Sequence, residues 1–295
     1  MGLEFPVGPM KATLGRLPAD DDAWAYEVKW DGYRTIVHVD GGTVRVQSVS
    51  GRDVTDEYGE LAGLADAVHA DRAVLDGELV VLDDDGMPRF ELMQRHAREV
   101  VFQAFDVLHL GGHDTIELPY EDRRRLLEQA VEPGANWTVP AHRIGGGQEL
   151  FDATESQGLE GIMAKRLGST YQPCKRSPNW RKIKHRRKVD VVIGGFTEGG
   201  GNRSSTFGAL LVGRWDGDRL VFAGGVGTGF DQTTLAAMTP RLRDLEQTAC
   251  PFDPLPPVSY RRGAHWIEPV LTATIEITEF TNDGHVRHAT FLELT

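Results

Sequence analysis

Short strand-forming segments separated by glycine turns dominate this sequence and limit the folds open to it. Residues 33–39 and 44–48 flank Gly41-Gly42, a pattern that predicts a β-hairpin. Further strands are expected at 24–29, 73–82 (broken at Asp76-Gly77), 100–108, 161–165 and 180–184, and helices at 56–69, 91–98, 119–130 and 149–157. Because these elements do not alternate as βαβ units, the pattern predicts an α+β domain built on antiparallel sheets.

The pattern changes after residue 187, which predicts a first domain at 1–187 and a second at 188–295. In the second domain, strands are expected at 191–196, 209–214, 219–223, 266–280 and 285–294, with one helix at 231–247. Asn282-Asp283-Gly284 would form the turn between the last two strands. Five short strands and one helix are typical of a small OB-type β-barrel.

Charge is distributed unevenly along the chain, which carries 32 Lys and Arg against 44 Asp and Glu for a net charge of −12. Residues 161–189 nevertheless hold basic side chains and no acidic ones, namely Lys165, Arg166, Lys175, Arg176, Arg181, Lys182, Lys184, Arg186, Arg187 and Lys188. A basic stretch on an acidic body predicts a polyanion-binding surface. A solvated helix face or linker is the alternative that charge alone leaves open.

The sequence gives no indication of export or membrane insertion. No apolar run approaches the roughly 20 residues that span a bilayer, and residues 1–6 lack the basic and apolar regions of a signal peptide. Cys174 and Cys250 form neither a metal-site spacing nor a disulfide framework, as expected in a reducing cytoplasm. The motifs of P-loop enzymes, zinc proteases and α/β-hydrolases are absent.

One lysine has the setting of a nucleophile. Lys29 follows an apolar strand and precedes a glycine turn, in the segment Glu27-Val-Lys29-Trp-Asp31-Gly32-Tyr-Arg34. Partial burial and a nearby cation favour the neutral, nucleophilic form of a lysine amine. A strand-end lysine that pairs with Asp31 is the simpler alternative for this segment alone.

Lys29-x-Asp31-Gly32-x-Arg34 resembles motif I of the covalent nucleotidyltransferases, which include ATP-dependent DNA ligases, RNA ligases and mRNA capping enzymes. Four more blocks follow in the order of that family: Asp76-Gly77-Glu78, Phe102-x-Ala-Phe105-Asp106, Glu160-Gly161-Ile-Met-Ala-Lys165 and Trp180-Arg-Lys182-Ile-Lys184. The segments 90–95, 165–180 and 287–291 are most similar to bacterial repair ligases, both the ligase module of ligase D and the stand-alone ligase C. The ordered blocks identify the chain as a member of this family.

The resemblance implies a role for individual residues. Lys29 would attack the α-phosphorus of ATP and carry AMP, Glu27 would accept a hydrogen bond from the adenine amino group, and Phe105 would stack on the base. The other nucleotide contacts would come from Arg34, Glu78, Lys182 and Lys184, and Mg²⁺ or Mn²⁺ would bind Glu160 and Glu78. Contacts to the DNA backbone would come from Arg52, Arg166, Lys175, Arg176, Arg186, Arg187 and Lys188.

Two departures from the family's pattern stand out. Motif Ia usually has an arginine where this chain has Val49, and Arg52 is the candidate to replace it. The basic block that closes the barrel domain, motif VI, has no counterpart before Thr295.

The resemblance implies a monomeric, cytoplasmic and nucleoid-associated enzyme that uses ATP to seal 5′-phosphate/3′-hydroxyl nicks in duplex DNA, together with break-repair proteins. An RNA ligase or capping-type nucleotidyltransferase is one alternative, which nick sealing on all-DNA against RNA-containing substrates would separate. A catalytically silent DNA-end-binding module is another, suggested by Val49 and the missing block. Covalent labelling with ATP would exclude or support that module.

Overall fold

The computed structural model describes residues 4–95, 98–281 and 283–295. The chain divides into two compact units, Met1–Lys184 and His185–Thr295. The division falls close to the boundary after residue 187 that the sequence pattern predicts.

The first unit contains two sheets, whose strands in the described residues are β1 (Lys11–Leu14), β2 (Trp24–Val28), β3 (Tyr33–Asp40), β4 (Thr43–Ser48), β5 (Arg72–Val80), β6 (Val101–Leu110), β7 (His113–Asp114), β8 (Trp137–Thr138), β9 (His142–Ile144), β10 (Gly161–Arg166) and β11 (Arg176–Lys184). One sheet has the order β1-β11-β10-β2-β9, and the other has the order β4-β3-β5-β6-β7 with β8 beside β6. Most neighbours are antiparallel, while β1 and β8 pair in parallel with β11 and β6. The predicted antiparallel α+β architecture is confirmed.

The helices of this unit are α1 (Leu64–Ala67), α2 (Phe90–Gln94), α3 (Tyr120–Ala130) and α4 (Gly147–Ser156). The predictions for α3 and α4 are confirmed. The helix predicted at 56–69 is wrong, because Gly59 and Gly63 interrupt the segment and leave two 3₁₀ turns and the single turn α1. α2 is shorter than the predicted 91–98, of which residues 96 and 97 lie outside the described ranges.

The alternation of side chains in the first sheet separates a cavity-facing row from a hydrophobic cluster. The antiparallel register aligns Glu27 of β2 with Met163 of β10, and Met163 with Lys182 of β11. Glu27, Met163 and Lys182 therefore form one row that faces the cavity. Successive strand residues point to opposite faces of a sheet, so the residues next to these three on each strand face away from the cavity. They form a buried cluster with α4: Trp24, Tyr26, Ile162, Ala164 and Ile183, against Leu150 and Phe151.

The second sheet also has two apolar faces. One face packs against α3 and the segment around α1. The other face contributes Ile36, Val74, Phe105 and Leu108 to a buried cluster that also includes Trp180 of β11. Because Trp180 belongs to the first sheet, this cluster joins the two sheets.

β5 runs without interruption from Arg72 to Val80, so the predicted break at Asp76-Gly77 is wrong. The register between β5 and β6 shifts between Asp76 and Gly77, which is a bulge within a continuous strand. The ring of Phe102 occupies the space where a side chain at residue 77 would lie. The glycine therefore marks close packing and not the end of a strand.

The second unit contains, in its described residues, β12 (Arg187–Glu198), β13 (Phe207–Asp216), β14 (Arg219–Val226), β15 (Glu246–Gln247), β16 (Ala264–Ile277), β17 (Glu279–Phe280), β18 (Val286–Arg287), β19 (Thr290–Leu294), α5 (Gln232–Asp244) and α6 (Val258–Arg261). The antiparallel order is β14-β13-β12-β16, with β19 also on β16. A backbone hydrogen bond of 2.9 Å from Phe291 N to Thr228 O connects β19 to the segment after β14, as a closing barrel requires.

α5 covers the core of the barrel, and two short strands end the unit. Leu235, Met238 and Leu242 of α5 pack into the core. The single strand predicted at 285–294 is wrong, because His288 has a φ of 53° and separates β18 from β19. The predicted turn includes Asn282, which lies outside the described residues. Within the described ranges, the helices are too short or too polar to cross a membrane.

Gly77→Ala should lower the free energy of unfolding by about 1–3 kcal/mol, the usual cost of overpacking. The new Cβ would lie 2.3 Å from Phe102 Cε2 and 2.6 Å from the carbonyl oxygen of Gln103. Urea denaturation measures the change. Gly168→Ala is the control, because a Cβ there meets no atom within 4 Å. Equal losses in both variants would contradict the packing argument.

Candidate active site

A cavity of about 310 Å³ in the first unit is lined by residues from both sheets. It contains six of the residues that the resemblance assigns to the nucleotide: Glu27, Lys29, Arg34, Glu78, Phe105 and Lys182. Other lining residues include Met10, Lys11, Val49, Lys165, Arg176 and Trp180. Residues from all five sequence blocks therefore meet in one place.

Lys29 follows β2 directly and is tied to Glu160. Its Nζ contacts one carboxylate oxygen of Glu160, and Nζ of Lys184 contacts the other. The backbone N–H of Lys29 donates to the carbonyl oxygen of Gly161 at 3.0 Å. Gly161 has a φ of 143°, and a Cβ there would lie 2.1 Å from the carbonyl oxygen of Ile183. Glycine thus allows the close strand approach that holds Glu160 between the two lysines.

The lysines create a strongly positive region around this carboxylate. Burial lowers the pKa of Lys182, and the neighbouring Lys184 and Lys29 lower it further. Burial alone would raise the pKa of Glu160, but Lys29 and Lys184 outweigh it and lower that pKa. A phosphate group is matched to these cations, because it offers several anionic oxygens in place of the two of Glu160.

Glu27 is fixed in the cavity wall by Lys165. Glu27 is 3% exposed, and its Oε1 lies 2.5 Å from Nζ of Lys165. The same Nζ lies 4.2 Å from the ring centroid of Phe105 and 4.4 Å from that of Trp180. Burial lowers the pKa of Lys165, and Glu27 opposes this change. The carboxylate proposed to read the base therefore lies beside the ring proposed to stack on it.

Arg34 is held rigidly beside the same ring. Its Nε and Nη2 lie 2.5 and 2.6 Å from the two oxygens of Asp76, which is fully buried. The hydroxyl of Tyr171 donates to Asp76 at 2.6 Å, and the Arg34 guanidinium lies 4.6 Å from the Phe105 centroid. Burial opposes the charge on Arg34, but Asp76 outweighs burial and raises its pKa.

Glu78 lies opposite Arg34 in the pairing of β3 with β5. Burial raises the pKa of Glu78 to about 7, although Arg34 and Lys29 act to lower it. This carboxyl group therefore changes charge near neutral pH, which is unusual for an acidic side chain and common at functional sites.

Val49, which stands where motif Ia usually has an arginine, lies in the wall of the cavity. Arg52 instead lines an adjacent cavity of about 780 Å³ that also includes Arg34 and Glu78. Arg52 is 72% exposed on its side chain, with Nη2 3.5 Å from Oε1 of Glu57. The structure thus places Arg52 next to the site without bringing it into the main cavity.

The residues predicted to contact DNA are divided between the two units. Arg176 lines the main cavity and donates to the carbonyl oxygen of Ala12 at 2.5 Å. Arg186 pairs with Glu276 at 2.7 Å in the second unit. All seven predicted residues are at least partly exposed, with Arg52, Arg166, Lys175 and Arg176 in the first unit and Arg186, Arg187 and Lys188 in the second.

Sequence reasoning missed the residues that orient the site. Lys165 and Asp76 belong to recognised blocks, but the sequence does not predict that they hold Glu27 and Arg34. Arg123 and Arg124 of α3 are also buried, and the sequence pattern predicts nothing for them beyond the helix at 119–130. Their spacing from Tyr120 places them on the inward face of the helix, which is the signal that identifies a buried charge.

The residues present suit a nucleotide-bound divalent cation better than a protein-built metal centre. No group of three or more His, Cys, Asp or Glu side chains that could hold a metal occurs in the described part of the chain. Mg²⁺ in phosphate-binding sites takes most of its ligands from water and phosphate and only one or two from carboxylates. Glu78 and Glu160 fit that requirement.

Comparison with known families matches nearly the whole chain. The family described as ATP dependent DNA ligase domain matches residues 10–184, and that described as ATP dependent DNA ligase C terminal region matches residues 203–295. The multifunctional non-homologous end joining protein LigD of Mycobacterium bovis is 42% identical over 97% of this chain, which spans 38% of that relative. DNA ligase C2 of Mycolicibacterium smegmatis is 33% identical over 81% of this chain and 71% of the relative.

Solved structures agree with these matches. The ligase domain of M. tuberculosis LigD is 41% identical and aligns with a TM-score of 0.60 over 99% of this chain and 96% of that one. A mycobacterial DNA ligase D complexed with ATP and MES is 40% identical, with a TM-score of 0.61 over 99% and 96% of the two chains.

Glu78→Gln should stabilise the protein increasingly as the pH rises from about 5 to 8. With its pKa raised to about 7, Glu78 keeps a proton in the folded state that the unfolded chain releases near pH 4.5, so the wild type loses stability across this window. The difference in free energy of unfolding between Glu78→Gln and the wild type should reach roughly 3 kcal/mol above pH 7. Thermal unfolding at several pH values measures it, with the exposed Glu117→Gln as control. Parallel curves for wild type and Glu78→Gln would contradict the shift.

Proposed function

This chain belongs to the family of ATP-dependent DNA ligases, and on that premise we propose that it seals nicks in duplex DNA through AMP carried on Lys29. The observation that carries the proposal is the setting of Lys29, which lies in one cavity with Glu27 and Phe105. A base-reading carboxylate and a stacking ring would hold the nucleotide beside the amine that accepts its AMP.

The proposed reaction has three balanced steps. The Lys29 amine forms a bond to the α-phosphorus of ATP, loses a proton and displaces pyrophosphate. A 5′-phosphate oxygen of the nick then attacks the bound AMP and breaks the P–N bond, which gives a DNA–adenylate and restores Lys29. Finally, the 3′-hydroxyl loses its proton to solvent, and its oxygen attacks the 5′-phosphate, forms the phosphodiester and displaces AMP.

The neighbouring charges support the first step. Lys29 is paired with Glu160, so the incoming α-phosphate would replace Glu160 as the partner of Lys29 and Lys184. Lys182, which lines the same cavity, would add positive charge where negative charge develops. Mg²⁺ or Mn²⁺, held by the phosphates with Glu78 and Glu160, would supply further neutralisation of the phosphates when bound.

We further infer that the substrate is broken DNA under repair. The relatives that this chain resembles are named for non-homologous end joining, although the chain corresponds to only 38% of their length. The exposed basic residues of both units would contact backbone phosphates, which position a duplex without reading its sequence. Partners in repair would then act through the DNA end or through other polypeptide segments.

Incubation with labelled ATP and Mg²⁺ should attach one AMP per chain, and Lys29→Ala should reduce this label to background because no other amine lies in the same setting of the predicted motif. Peptide mapping should place the AMP on Lys29. The wild type should then seal a 5′-phosphate/3′-hydroxyl nick, and Lys29→Ala should not do so from ATP.

Lys11→Ala is the matched control, since Lys11 lines the same cavity but has no assigned covalent role. This variant should still carry AMP on Lys29. Label retained in Lys29→Ala would refute the nucleophile, and a wild type that binds nicked DNA without acquiring AMP would identify a silent binding module.

A further inference from the structure

Two buried atoms behind the cavity lack hydrogen-bond partners among the described residues and face each other. They are Oε2 of Glu27 and Nη1 of Arg124, which lie 3.8 Å apart. Glu27 is 3% exposed and Arg124 is 2% exposed. A separation of 3.8 Å is too long for a hydrogen bond, so Arg124 acts on the carboxylate of Glu27 through its charge alone.

Arg124 is fixed by its other nitrogens. Its Nε donates to Glu128 at 3.0 Å, and its Nη2 donates to the carbonyl oxygen of Pro140. These bonds leave Nη1 directed at Glu27. Glu27 lines the cavity and Arg124 does not, so the arginine acts on a ligand only through the carboxylate.

Glu27 has a second cation, Lys165, at its other oxygen. A buried carboxylic acid and amine can exchange a proton and become a neutral pair, and burial lowers the pKa of Lys165. An arginine does not lose its proton in proteins. Arg124 is therefore the neighbour that guarantees a positive charge, and so favours the negative charge, at Glu27.

We propose that Arg124 is a positioning residue that makes the site selective for a 6-aminopurine over a 6-oxopurine nucleotide. The proposal rests on the proposed function and refines it. An ionised carboxylate can only accept hydrogen bonds, so Glu27 pairs with an exocyclic amino group and is opposed by an exocyclic carbonyl oxygen. A neutral Glu27 would donate a hydrogen bond to that carbonyl and would lose the distinction.

The test compares covalent loading from ATP and from inosine triphosphate, which carries a carbonyl oxygen in place of the amino group. The kcat/KM ratio for the two nucleotides is measured for wild type, Arg124→Gln and Arg124→Lys. Arg124→Gln should reduce the ratio at least about tenfold, because a hydrogen bond to a charged group is at stake. Arg124→Lys should recover only part of the ratio, because a buried lysine can lose its proton and an arginine cannot.

A purely structural role would slow loading from both nucleotides equally. Arg123→Gln is the matched control, since Arg123 is also fully buried on α3 but pairs with Asp106 through two 2.8 Å bonds. It should reduce stability and leave the nucleotide ratio unchanged. An unchanged ratio in folded Arg124→Gln, or an equal fall in Arg123→Gln, would overturn the proposal.

Arg124→Lys decides the question if Arg124→Gln does not fold. This variant should lower the ratio measurably, because a buried lysine can lose its proton, and an unchanged ratio in folded Arg124→Lys would overturn the proposal. A wild type that loads neither nucleotide would refute the proposed ligase activity itself. A wild type that loads ATP while Arg124→Gln keeps its selectivity would refute only the role of Arg124.

Discussion

The register of β10 between β2 and β11 is the constraint on which this site depends. It aligns Glu27 with Met163 and Met163 with Lys182, while the intervening residues form the apolar cluster beneath α4. If the pairing of one strand shifted by a single residue, its side chains would exchange faces. Its charged side chain would then point toward α4, in place of an apolar residue of the cluster. The hydrophobic burial that stabilises the sheet therefore also fixes the positions of the charged groups.

The charged groups in the cavity are held by one another. Lys29 and Lys184 share Glu160, and Arg34 is clamped by Asp76. Taking such groups out of water costs several kcal/mol each unless they are paired, so each pair offsets the cost of burying its own charges. In the proposed reaction, a nucleotide phosphate would replace Glu160 as the anionic partner of Lys29 and Lys184.

The sequence predicts the strands, the hairpin and α3 well, because period-two and period-3.6 patterns are local. It fails at 56–69, where glycines override a helical pattern, and at Gly77, where only the packed ring of Phe102 explains the residue. The order of the motifs predicts Lys29 and its neighbours as the residues of the site. The sequence does not predict that Lys165 and Arg124 lie against Glu27 or that Asp76 pairs with Arg34, because pairing between distant segments is set by the tertiary fold.

A crystal structure determined after incubation with ATP and Mg²⁺ would test the proposed role of Lys29 most directly. We expect continuous density from Nζ of Lys29 to the phosphorus of AMP, with Glu160 no longer bonded to Lys29. The adenine amino group should lie within hydrogen-bonding distance of the carboxylate of Glu27. Nucleotide bound elsewhere, or Lys29 still paired with Glu160 in a nucleotide-filled cavity, would contradict this mechanism.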